Sequence, residues 1–142
     1  MINAVYALLN ADTELLSHLP GQLWNALDVQ EISRQNTPAA FNVDKEIQAC
    51  ALLKEESATP WGPNYNSGRI YFVLYLYQRF GYQQIDQARK RIYTILHRQQ
   101  VIPLDGSGLY QIDHAGDVLG MEDQALTAAM QLSRFVATVQ RR

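Results

Sequence analysis

The chain has 142 residues, with 14 acidic and 12 basic side chains and a formal net charge of −2. That length is one domain's worth, and the slight acidic excess argues against broad duplex nucleic-acid binding, which goes with a basic surplus. A single cysteine, Cys50, excludes an internal disulfide and any four-cysteine zinc site within one chain. No basic-then-apolar leader and no membrane-length apolar run is present, so a soluble protein made in the cytoplasm, with no membrane contact, is expected.

In chain order, residues 2–19 read as a helix with a break. Ile2, Val5, Leu8 and Leu9 make one apolar stripe, and Leu15, Leu16 and Leu19 resume it after Asp12, which can cap a second segment. Pro20-Gly21 stops the element. Residues 22–42 are irregular: Leu23, Trp24, Ala26 and Leu27 suggest a short strand or turn, and Asn36-Thr37-Pro38 marks a loop. Over 43–56, Ile47, Ala49, Ala51 and Leu53 alternate with polar residues as in a half-buried strand, although Val43, Ile47 and Ala51 also have helical spacing. A turn-rich segment follows, so the spacing predicts a hairpin over 46–80, with strands at 46–57 and 69–80. Its loop displays Trp61 and Tyr65, a pair of aromatics suited to anchoring a partner.

The second hairpin strand carries the strongest strand signal in the chain. Ile70, Phe72, Leu74 and Leu76 fall on one face; Tyr71, Val73, Tyr75 and Tyr77 fall on the other, with Arg69 and Arg79 at its ends. A strand apolar on both faces needs cover on both. After Gly81, residues 83–98 read as a helix whose Ile85, Ala88, Ile92, Ile95 and Leu96 form one stripe. That helix is expected on the aliphatic face, which leaves the tyrosine face for something else. Arg89, Lys90 and Arg91 read as a solvated helix face, or as a basic patch toward a partner.

Beyond residue 99, Asp105-Gly106-Ser107-Gly108 is a turn signal, and Leu109, Tyr110 and Ile112 read as a strand. Gly116, Asp117 and Gly120 read as further turns. Residues 125–140 fit a strand or a helix by spacing, and the alanines favour helix.

Catalytic equipment is scarce. The sequence has no phosphate-binding glycine loop, no nucleophile elbow and no metal-ligand pair at helical spacing. Asp113, His114 and Asp117 are the best cluster of titratable groups, read as a solvated loop in preference to a base or metal site. His18 and His97 each end a helix, and Cys50 has no basic neighbour in sequence to activate it. We therefore assign no catalytic, cofactor or metal residues. The candidate site is a protein interface: Trp61, Tyr65, Tyr71, Tyr75, Tyr77 and Arg79.

Several stretches carry a resemblance: ALLNADTELLSHL, the strand-helix unit IYFVLYLYQRFGYQQIDQARKRIYTILH, the return LDGSGLYQI, and MEDQALTAAMQLSRFVATVQRR. In this order they resemble the tail terminator and tail completion proteins of long-tailed bacteriophages. The resemblance implies a single α+β domain over 1–142, a curved, mostly antiparallel sheet packed by an N-terminal and a central helix. It makes the last segment a strand, giving C-terminal strands over 108–140. It further implies a homohexameric ring at the head-proximal end of the virion tail. Such a ring meets the tail tube protein on one side and a neck or stopper protein on the other, and genomic DNA passes its lumen without specific binding. No catalytic residue carries over. Residues 22–59 depart from the family pattern. A DNA conduit should not grip phosphates, so the surplus acids are expected at the lumen in preference to Arg89, Lys90 and Arg91. Two competing readings are a neck adaptor or tail-tube subunit of related fold, and a cytoplasmic ligand-binding domain or enzyme using Asp113, His114 and Asp117.

Overall fold

The computed structural model describes residues 1–60, 67–103 and 108–140. Helices α1 (Ile2–Asn10) and α2 (Thr13–Ser17) are the two halves of the N-terminal stripe. Asp12 separates them and caps α2: its Oδ1 accepts the Leu15 N–H at 2.8 Å. Its carboxylate also takes Arg91, Nη2 lying 2.7 Å from Oδ2. These contacts, that of Arg91 foremost and the Leu15 N–H next, hold the Asp12 carboxyl below its usual range. Asp12→Ala removes the cap and should lower stability by about 1 kcal/mol. A urea melt reads that loss, and an unchanged midpoint would show that the α2 cap contributes nothing.

The chain then forms β1 (Leu23–Asn25), the single-turn helix α3 (Ala26–Val29), an irregular excursion, the hairpin β2 (Cys50–Pro60) and β3 (Ser67–Gln78), α4 (Gln83–Leu96), β4 (Gln100–Val101), β5 (Leu109–Asp123) and β6 (Ala128–Gln140). All six strands lie in one curled sheet, ordered β1-β2-β3-β6-β5-β4. Among the described residues only the β1–β2 pairing is parallel.

The face of β3 bearing Phe72, Leu74 and Leu76 is buried under α1, α2 and α4. Val5, Leu9 and Leu15 meet Ile85, Ala88, Ile92 and Leu96 there, all with no exposed surface. Each large side chain in this layer contributes on the order of 1.5–3 kcal/mol. The central helix thus takes the aliphatic face, as the alternation predicts, and the last segment is a strand, as the resemblance implies.

Four expectations need correction. The first hairpin strand starts at Cys50, not at 46, because 46–49 are held elsewhere: Ile47 bridges Phe41, and Gln48 N–H donates to the Ala40 carbonyl. The helix expected over 83–98 ends at Leu96, where His97 turns to extended backbone. Gly116, Asp117 and Gly120 are not turns. They lie inside β5, at two places where the register with β6 slips, between His114 and Gly116 and between Val118 and Met121. Gly116 and Gly120 have φ of +145° and +68°, so they are bulge glycines in a strand that continues through them. The real turn joins Asp123 to Ala128.

The last correction concerns the basic run. Lys90 and Arg91 keep accessible surface, each paired with carboxylates of this chain, but Arg89 is not part of a solvated face: its side chain is 15% exposed and is held by Asp86 and Asp117.

Candidate assembly surface

Period-two alternation in β3 sends Tyr71, Val73, Tyr75 and Tyr77 to the face away from the helices. There they line up across the sheet with Cys50, Leu52 and Lys54 of β2 and with Met130, Leu132, Arg134 and Val136 of β6. The tyrosine face is not left bare. The excursion between α3 and β2 folds back over its lower half and forms a second apolar cluster. Ile32, Ala40, Phe41 and Ile47 pack there with Cys50, Leu52, Tyr77 and Met130.

Tyr77 is 7% exposed and so belongs to the protomer's own core. Its phenol is pushed up by burial foremost, with Asp123 adding to the shift. Tyr75 and Tyr71 are half-buried. Beside Tyr71, Arg134 pairs with Glu56 at 2.8 Å across the sheet. Arg79 pairs with Glu46 and lies over the exposed ring of Phe80, 4.6 Å from its centroid. Trp61 and Tyr65 lie outside the described residues. Of the six candidate interface residues, Tyr71, Tyr75 and Arg79 stay partly exposed, and Tyr77 is buried.

Cys50 is fully buried in this second cluster, and burial pushes its thiol up to about 12. It should not react with a disulfide reagent at pH 8 in the folded protein, and should react at once in denaturant. Fast labelling of the folded state would contradict the placement of the excursion.

The Asp113, His114 and Asp117 cluster is not a solvated loop. All three stand on β5, and Asp117 turns under α4. Its Oδ2 is 2.9 Å from Arg89 Nη1, and its Oδ1 accepts Ser133 Oγ at 2.6 Å. His114 Nε2 lies 2.8 Å from the same Oδ1 and must carry the proton, because an ionised carboxylate only accepts. His97 Nδ1 accepts the His114 backbone N–H at 3.1 Å. Arg89 also meets Asp86 at 2.6 Å and Gln131 at 3.3 Å. Arg89, His114 and Ser133 thus all converge on the Asp117 carboxylate. Ser133 donates to the carboxylate and not to the imidazole, so the trio lacks the nucleophile-to-base contact of hydrolases. Among the described residues no group of His, Cys, Asp and Glu is arranged to hold a metal. Sequence spacing could not find this network, because Arg89, Asp117 and Ser133 sit on three different elements.

Fold and site together define an α+β domain with a helical layer on one face of a curled sheet and a partly roofed tyrosine face on the other. No protein-family model and no curated protein sequence matches the chain. Among solved structures it is similar to a chain of the virion of a native gene transfer agent particle. The match has a TM-score of 0.70 and 12% identity, and covers 99% of this chain and 94% of that one. At that identity the likeness is one of fold. Among the described residues no helix is long and apolar enough to cross a membrane.

Proposed function

We propose that this chain is a structural protein of a phage-like virion, and within it the tail terminator, a ring at the head-proximal end of the tail tube. The observation that carries the reading is the end-to-end match of its fold to a virion protein, both chains being covered almost entirely. The order of helix, hairpin, strand-helix unit and return strands supports it. So does the engagement of the Asp117 carboxylate by Arg89, Ser133 and His114, all groups of this chain. In this reading the protein has no enzymatic activity and works by contact alone. It binds copies of itself, the tube protein on one side and a neck or stopper protein on the other.

A ring of identical chains uses two different patches per copy, and a stable contact of this kind buries on the order of 1,200–2,000 Å². Arg89 and Arg91 are engaged by Asp117, Asp86, Asp12 and Glu14, which supports a lumen that does not hold DNA phosphates.

Light scattering of the purified protein, alone and with its tube protein, tests this. A ring several times the 16.1 kDa protomer mass is expected in at least one condition. A protomer mass in both would overturn the reading. Proteomic analysis of purified particles should find the chain at a few copies per virion.

A further inference from the structure

Helix α4 ends against the outer edge of β5, and a histidine makes the join. Strand β4 pairs with β5 at Tyr110 and Gln111. One step further, Ile112 is tied to the segment after α4 by two backbone bonds. Its N–H donates to the Gln99 carbonyl at 2.8 Å, and its carbonyl accepts the Arg98 N–H at 2.7 Å. At His114 a side chain replaces the backbone partner: His97 Nδ1 accepts the His114 N–H at 3.1 Å.

The donor in that bond is a backbone amide, which cannot exchange roles. Nδ1 therefore holds a lone pair, and His97 is neutral here with its proton on Nε2. A charged imidazole carries N–H groups on both nitrogens and would set donor against donor. The His97 ring is held in place by stacking on Tyr93, with centroids 4.7 Å apart at 17°. Arg98, the next residue, has φ of +60°. That left-handed conformation is uncommon for a residue with a side chain and persists where its surroundings hold it.

His114 has the opposite requirement. Its Nε2 lies 2.8 Å from Asp117 Oδ1 and already carries a proton, so a second proton on the ring leaves that contact in place. Its ring meets Tyr93 and Phe135 edge-on. Tyr93 is thus in ring contact with both imidazoles, of which acid unties one and spares the other. Among the described residues, the titratable groups facing His97 are Tyr93 from α4 and His114 from β5, with Asp117 and Arg89 behind His114. Asp113 falls on the opposite face of β5 by alternation, and Arg98 is exposed.

We infer that His97 is a pH-operated latch joining the C-terminal end of α4 to the outer edge of β5. It is shut while the imidazole is neutral. It opens when mild acid protonates the ring, freeing the His114 N–H and loosening the corner at Arg98. Imidazole is the side chain that changes charge between about pH 5 and 8, so the latch opens before the carboxylate ties are lost at lower pH. It lies within one protomer and holds whether or not copies form a ring.

The test is amide hydrogen exchange read by NMR at about pH 7.5 and about pH 5.5, either side of the imidazole range. The Ile112 amide, whose acceptor does not titrate, is the internal reference. In wild type, protection of the His114 amide relative to Ile112 should fall roughly fivefold at the lower pH, the effect of one lost hydrogen bond. His97→Asn supplies a carbonyl that accepts without titrating, so its ratio should be the same at both pH values. His97→Phe keeps a ring against Tyr93 without an acceptor, so its ratio should be low at both. Ring-nitrogen shifts of wild type at the higher pH should place the His97 proton on Nε2. The two wild-type measurements decide the matter by themselves if either variant unfolds. A wild-type ratio that ignores pH, or a His97 proton on Nδ1, overturns the latch. So does a pH response that survives in His97→Asn, which would assign it to His114.

Discussion

Phe72→Ala should destabilise the protein by about 3–5 kcal/mol, the range for removing a fully buried aromatic ring. Phe72 and Phe135 are register partners on the two central strands, and their rings stack with centroids 5.6 Å apart at 14°. Neither has any exposed surface, and both lie in the layer under the helices. Alanine removes the ring, its stacking partner's contact, and the support that α4 rests on; the stack alone is worth about 0.5–1.5 kcal/mol beyond area. A domain of this size holds roughly 5–15 kcal/mol in total, so the variant should melt well below wild type and sit near its midpoint in mild urea. The measurement is equilibrium urea unfolding followed by near-ultraviolet dichroism. A loss under about 1 kcal/mol would mean that the pair is not the centre of the core.

Asp117→Ala should be the most damaging polar change, costing about 3 kcal/mol, the lower end for breaking a buried ion pair because Arg89 keeps Asp86. The Arg89 side chain is only 15% exposed, and Ser133 loses its acceptor as well. The same residue sets a pH dependence. Burial works to raise the Asp117 carboxyl, but the hydrogen bonds from His114 and Ser133, with the His114 and Arg89 charges, outweigh it and hold it below the usual range. Asp86 is held down by Arg89 foremost, and Asp12 by Arg91. A folded carboxyl that binds its proton more weakly than the unfolded one, near 3.9, stabilises the fold fully above that value. This stabilisation is lost as pH falls through the folded pKa. Wild type should therefore lose stability from about pH 4 downward, and Asp117→Ala should show a shallower acid limb. A variant with the same acid slope as wild type would remove Asp117 from the set of linked groups.

Much of the architecture was legible because it is written locally. The two faces of β3, the stripe of α4 and the Asp12 cap each show within a dozen residues, and each stands where the spacing put it. β6 was not decided by its own residues. It lies between β3 and β5, and its helix-side face carries buried Gln131 and Ser133 beside Phe135 and Ala137, so polarity does not mark its core side. Only the resemblance chose strand. β5 was misread for a different reason: a bulge and a turn use the same glycine chemistry, so Gly116 and Gly120 looked like chain reversals.

The exposure of the candidate interface residues was legible only in part. Tyr71 and Tyr75 keep surface, but Tyr77 is roofed by Ile32, Phe41 and Ile47, from a segment without periodicity. Cover of that kind follows from tertiary folding alone. Arg89 and Asp117 face each other across 28 positions of chain, a distance over which spacing says nothing.

The pairing of β3 with β6 also governs how this protein comes into being. Ser67 registers with Gln140 and Gln78 with Ala129, so the middle of the sheet joins stretches separated by dozens of residues. Contacts of such long range are slow to close. On the ribosome, Phe72, Leu74 and Leu76 must wait for Phe135 and its neighbours to be synthesised, which makes the nascent chain a natural client for chaperones. A host that translates this message faster than its folding helpers can attend to it should accumulate aggregate, however stable the finished molecule is.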